Sequence, residues 1–257
     1  MGNYYFLAAS LPPLALGSRP DITFDSLAKM LALNLSPEDY QKTVVIRRSI
    51  DLANIRALLM EDRIDPRGNL NEKELDEALL VHDGLPQYVF DFLERYDTLA
   101  ERIRNFSQLM ATFYSEEIAK ADGFLKRYLK FEREWRLVVL GLRAKTLKRD
   151  AAKELQFEDF SDPLVAQILA QRDSEKYDPP PEYTELKDLF QAAGSDPWKL
   201  HKAFDEWRFY KVEDMVKTPL FSIDWILAYM VQLLIVEHWN ELNEKEGNMI
   251  LDTFKSD

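Results

Sequence analysis

The sequence predicts an all-α protein, and three observations carry that expectation. Only 8 Gly and 12 Pro interrupt the 257 residues, and the long segments are filled by Leu, Ala, Glu, Lys and Arg. Straight-chain side chains lose little rotamer freedom in a helix, so this composition favours helix. Phe124, Tyr128, Phe131, Trp135, Val138 and Leu142 recur at alternating spacings of four and three, which places them on one helical face. Helix starts are also marked: Ser36-Pro37-Glu38-Asp39 and Asp162-Pro163 each set a capping side chain before a proline at the first helical position. No segment after residue 20 alternates as a half-buried strand would.

At the N-terminus, Tyr4 to Ser10 is a short aromatic and apolar run stopped by Leu11-Pro12-Pro13. It reads as a short irregular or extended segment, and a strand or one buried helical turn fits it equally. Helices follow at Phe24 to Leu33 and from the Ser36 cap to about Met60, and the loop Asp65-Pro66-Arg67-Gly68-Asn69 ends that region. Asn71 caps a helix to Leu80, Asp83-Gly84 turns the chain, and another helix reaches about Tyr96. Thr98 begins a helix carrying Leu99, Ile103, Phe106 and Met110, with a break expected near Ala121-Asp122-Gly123 before the Phe124 stripe. After a short helix over Asp162 to Gln171, residues 173–182 form the best linker, because Pro179-Pro180-Pro181 favour an extended backbone. Helices are then expected over Tyr183 to Ala193, Asp196 to Val216, and Leu220 or Phe221 to Glu241, with a last amphipathic turn at Met249 to Phe254. The whole reads as one helical subunit, 1–257, with internal units near 1–80, 81–172 and 183–257.

Charge and composition narrow the function. A formal charge of −12 argues against nucleic acid, which needs a positive face, and suits a basic partner surface. With no Cys there is no disulfide framework, thiolate metal site or cysteine nucleophile, which fits a reducing compartment. No Lys or Arg precedes Arg19 and Pro12-Pro13 break the first apolar run, so a signal peptide is not expected. The most apolar stretch, Ile223 to Val236, contains Asp224 and Gln232 and falls short of the roughly 20 residues that a bilayer requires.

Chemical motifs are missing in an informative way. If Gly68 held the sixth place of a calcium loop, Arg63 and Arg67 would fall at ligand positions, and two cations there defeat the site. His82, His201 and His238 follow Leu79, Trp198 and Ile235 by three residues, so no Glu-x-x-His pair exists for a di-metal bundle. There is no His-Glu-x-x-His, no phosphate-cradling Gly-rich loop and no Gly-x-Ser-x-Gly. The expectation is a protein without catalytic residues, cofactor or metal. Glu116-Glu117 and Glu241 to Glu246 read as solvated faces, and Trp207-Arg208-Phe209-Tyr210 as packing or a partner-facing patch.

Three acids stand at the openings of apolar helical segments: Asp51, Glu134 and Asp224. They are candidate structural acids that hold neighbouring helices in register, with Arg48 and Lys130 at helical spacing from the first two. Their unequal spacing excludes a tight solenoid, but the recurrence suggests a threefold internal repeat.

Two stretches bring a family into view. Tyr4-Tyr5-Phe6-Leu7-Ala8-Ala9-Ser10-Leu11-Pro12-Pro13-Leu14 resembles the start of a bacterial family of unknown function, DUF2764. Members of that family resemble companions of V-type (A/V-type) ATP synthases, standing in for the C-type central-stalk component (the d-type component of eukaryotes). The run Ser49-Ile50-Asp51-Leu52-Ala53-Asn54-Ile55-Arg56-Ala57-Leu58-Leu59 is similar to the acid-x-x-Asn-Leu-x-x-Leu-Leu motif that recurs in that stalk component. The resemblance implies three similar helical units around a pseudo-threefold axis. It implies a cytoplasmic, membrane-peripheral protein that sits on the membrane rotor ring, receives the rotary stalk and catalyses nothing. Only the first acid keeps its Asn; Leu137 and Leu227 occupy the matching offset after Glu134 and Asp224. The alternative is a free-standing helical adaptor or regulatory protein.

Overall fold

A computed structural model describes residues 4–216 and 221–255, with side chains to residue 243. Among the described residues there are thirteen α-helices, one 3-10 turn and no strand. The helices are α1 (Tyr5–Ser10), α2 (Phe24–Asn34), α3 (Pro37–Leu59), α4 (Glu72–Val81), α5 (Gln87–Arg95), α6 (Leu99–Arg104) and α7 (Phe106–Lys120). There follow α8 (Gly123–Thr146), α9 (Ala151–Glu154), α10 (Pro163–Ala170), a 3-10 turn (Pro181–Tyr183), α11 (Thr184–Ala193), α12 (Pro197–Asp214) and α13 (Ile223–Lys255).

The N-terminal run, open between two readings in the sequence, is a helical turn. Leu7 and Ala8 of α1 are buried, and Leu11 leaves the helix in an extended conformation ahead of the two prolines. A proline disfavours helical backbone in the residue before it, which explains the stop. The helix expected from Thr98 onward is two helices. Asn105 ends α6 with its Nδ2 donating to the Glu101 carbonyl at 2.9 Å, so a polar side chain competes for helical backbone and separates α6 from α7. The last amphipathic turn, at Met249 to Phe254, is part of α13; the side chains of residues 244–257 lie outside the described residues, including most of the Glu241 to Glu246 run.

Two compact units divide the chain: Met1–Tyr40 with Lys176–Asp257, and Gln41–Glu175. One boundary thus falls in the first turns of α3, and the other within residues 173–182.

In the first unit, α13 packs on α12 and α2, and α11 packs on α12. Ile226, Leu227, Met230, Leu233 and Val236 of α13 are all fully buried, each worth about 1.5–3 kcal/mol relative to exposure. Polar ties join distant parts of this unit. Glu237 of α13 accepts from the Phe24 backbone N–H at 2.7 Å, satisfying a free donor at the start of α2. Tyr229 donates to the Pro12 carbonyl at 2.8 Å, and the Tyr4 N–H donates to the Phe221 carbonyl at 3.0 Å. Trp207 and Phe209 are buried and Trp207 donates to Glu185 at 2.9 Å, whereas Tyr210 is half exposed.

The second unit is built on α8, which packs against α7, α9 and α10. Of the predicted stripe, Phe124, Tyr128, Phe131, Val138 and Leu142 are buried and Trp135 is half-buried. At the other edge α5 packs on α7, and α3 supplies Leu52 and Ile55 to the core with no exposure.

Candidate functional site

The motif residues Asp51 and Asn54 belong to one face of α3, together with Val44 and Arg47, at spacings of three and four. This face is covered by the loop from Asp65 to Leu70, and side chain by side chain it holds that loop's backbone. Asp51, 2% exposed, accepts from the Asn69 N–H at 2.6 Å, the Leu70 N–H at 3.3 Å and the Asn69 Nδ2 at 2.6 Å. Asn54 pairs with Asp65 in both directions, its Nδ2 donating to the carbonyl and its Oδ1 accepting from the N–H, each at 2.8 Å. Arg47 donates to the carbonyls of Arg67 (3.0 Å) and Gly68, and the Asn69 amide also donates to the Val44 carbonyl at 3.0 Å.

Gly68 is fixed by this clamp. A Cβ there would lie 2.6 Å from Asp51 Oδ1 and 3.0 Å from Asn54 Nδ2, inside contact distance of both anchoring groups. The requirement is close approach, not an unusual backbone angle. Burial pushes the Asp51 carboxyl above its ordinary range, while the hydrogen bonds from Asn69 and Leu70 and the Arg47 charge pull it back. A carboxylate wrapped in backbone donors is a structural anchor with no oxygen directed at solvent.

The other predicted acids sit differently. Arg48, at helical spacing from Asp51, bonds instead to Glu117 of α7 at 2.7 Å. Glu134 is half-buried on α8, where the buried acid is Glu132, 3.3 Å from Arg136. Asp224 is half-buried in the first turn of α13. Asp51 and Glu134 fall in one unit and Asp224 in the other. Glu117 corrects the expectation of a solvated Glu116-Glu117 face: it is 6% exposed and takes bonds from Arg48 and from Tyr88 Oη at 3.2 Å. That network ties α3, α5 and α7 and pushes the Tyr88 phenol far up, through burial and the neighbouring Glu117 charge. Arg133 spans Glu158 (2.7 Å) and Asp162 (2.9 Å), fixing α8 to the start of α10. In the other unit Asp205 of α12 holds His238 of α13 at 2.6 Å and Arg208 at 3.2 Å.

No group of three or more His, Cys, Asp or Glu side chains able to hold a metal occurs among the described residues. Among these residues, too, no helix is long and apolar enough to cross a membrane.

Residues 1–257, the full chain, match the family described as "Protein of unknown function (DUF2764)". The chain belongs to the DUF2764 family. Among its relatives, an uncharacterized protein of Chlamydia muridarum (strain MoPn / Nigg) is 30% identical, over 98% of this chain and 97% of its own. An uncharacterized protein of Chlamydia trachomatis serovar D is 29% identical with the same coverage, and one of Chlamydia pneumoniae is 29% identical over 89% of this chain and 88% of its own. No solved structure matches the chain.

Proposed function

We propose that this DUF2764 protein is a non-catalytic central-stalk component of a V-type/A-type rotary ATP synthase, similar to the C-type stalk component, and couples the rotary stalk to the membrane rotor ring. In this reading it is cytoplasmic, peripheral to the membrane through the complex, and built of three related helical units about a pseudo-threefold axis. The observation that carries the proposal is the acid-x-x-Asn motif of α3. Both polar residues are 2% exposed and are spent on holding backbone, Asp51 through Asn69 and Leu70, Asn54 through Asp65. A motif used in this way specifies a rigid scaffold, the property a torque-transmitting protein needs, and not a reaction.

The formal charge of −12 supports an electrostatic contribution to assembly, because cytoplasmic loops of membrane proteins are rich in Lys and Arg. Tagging the protein and identifying what it brings down from native membranes tests the proposal. ATPase stalk and ring proteins are expected at low ionic strength, with recovery falling as salt is raised. Their absence at low salt overturns the stalk assignment and leaves the free-standing adaptor. Recovery indifferent to salt overturns only the electrostatic part.

A further inference from the structure

We propose that a groove in the Gln41–Glu175 unit is a docking site for a basic amphipathic helix of a partner protein. The groove has a volume of about 600 Å³ and lies among the end of α3, α4, α5 and the start of α6. Its floor is apolar, from Ile55, Leu58 and Leu59 of α3, Leu79 of α4 and Leu93 of α5. Its rim is acidic, from Asp76, Glu94 and Asp97. The one guanidinium in the lining, Arg102, is occupied by the carbonyls of Tyr96 (2.7 Å) and Leu93 (3.0 Å), and His82 stands 3.5 Å from Glu94.

The same segments also carry exposed large apolar residues outside the lining. Met60 follows Leu59, Leu80 and Val81 lie between Leu79 and His82, and Leu99 follows the rim residue Asp97 by two positions. These four belong to the large hydrophobic residues left exposed among the described residues, with Leu80 at 84% and Val81 at 60%. Isolated apolar residues on a surface need no explanation; the apolar floor under a charged rim is what marks an interaction surface.

The chemistry selects the occupant. An apolar floor drawn from three helices and edged by carboxylates fits a helix that lays its own apolar side chains along it at i, i+3, i+4 and i+7. Three rim carboxylates call for Lys or Arg flanking that stripe. A second copy of this chain, at −12, would set like rims against each other, and an anionic lipid surface would be repelled. The proposal goes beyond the stalk assignment and stands whether or not that assignment holds.

The test uses the full chain and a fluorescent synthetic helix of about 18 residues, Leu on one face and Lys on the other, beside a twin with Glu in place of Lys. Saturable binding of the Lys helix alone is expected, together with slowed amide exchange at 55–60, 79–82 and 93–102. Leu79→Ala, at a half-buried floor position, should weaken binding by about tenfold, the scale of one lost apolar anchor, with cooperative unfolding in urea kept. The pair Glu94→Lys and Asp97→Lys should weaken it at least as much and flatten its salt dependence. Glu206→Lys, which makes the same kind of charge reversal in the other unit, should leave it unaltered. Equal binding of the two helices, equal loss with Glu206→Lys, or no effect of Leu79→Ala would overturn the proposal. So would Leu79-dependent self-association in sedimentation, which would assign the groove to a second copy.

Discussion

Gly68 has little freedom in the second unit. A Cβ here would lie 2.6 Å from a carboxylate oxygen of Asp51, so its absence is what lets the 65–70 loop close on that group. That oxygen is pinned by backbone donors and cannot swing aside. Gly68→Ala should therefore cost about 2–4 kcal/mol, from overpacking plus weakened bonds to buried donors, read as a shifted midpoint in urea unfolding. In an Asp51→Ala background the same change should cost much less, since the clashing oxygen is gone. Additive losses would mean that Gly68 is needed for some other reason. Asp51 itself makes a pH prediction. In the unfolded chain it releases its proton near the ordinary value of 3.8, whereas burial in the folded chain makes it hold the proton to higher pH. The folded state thus binds more protons across that window, so the group's contribution to stability falls as pH rises from 3.8 through the raised folded value. Asp51→Asn removes the titration. Wild-type stability minus that of the variant should decline through the window and then level; a difference constant from about pH 3 to 7 would show that Asp51 titrates alike in both states.

Helix boundaries are the most legible part of the sequence, because caps act locally. Asn71 accepts from the Glu74 N–H at 3.0 Å and Glu74 returns a bond to the Asn71 N–H at 2.9 Å, a capping box readable from residues three apart. Asp162 and Asp196 cap α10 and α12 just ahead of their prolines, again within three residues. What the sequence hides is the division of labour on α3. One face holds the 65–70 loop through Arg47, Asp51 and Asn54, another enters the core through Leu52 and Ile55, and Arg48 leaves toward Glu117. Polar residues are buried on a helix worked from several sides, so no single apolar stripe marks its orientation. Glu117 misleads for the same reason. Beside Glu116 it resembles a solvated pair, and its charge partner lies 69 positions earlier. The candidate site is half legible: the motif names Asp51 and Asn54, but their partners Asp65, Asn69 and Leu70 belong to a loop that reads simply as a turn ahead of a capped helix.

Across the whole chain, the unit Gln41–Glu175 is continuous and the other is not. The Asp51 clamp, the Arg48–Glu117–Tyr88 network and the Arg133 ion pairs all close within residues 41–175. A protein of those residues alone should therefore unfold cooperatively in urea and protect the amides of α7 and α8 from exchange. Residues 176–257 alone should not, because α13 then loses the partners it draws from the first 40 residues: the α2 start, Pro12 and Ser18. Independent cooperative folding of 176–257, or a non-cooperative 41–175, would contradict this division.

The discontinuity also has a consequence for the order of events at the ribosome. The Tyr4 N–H reaches its acceptor only with Phe221, and the start of α2 reaches its own only with Glu237. At about 5–20 residues per second, the first 40 residues must wait roughly 10 to 40 seconds for those partners to be made. Meanwhile the 41–175 stretch can finish folding on its own. The segment that waits carries Tyr5, Phe6 and Leu33, apolar groups that stay half to nearly fully exposed even in the finished fold. In a nascent chain of this protein the first-unit segment ahead of α3 thus stays unpaired and sticky until α13 is made, and chaperone dependence would concentrate there.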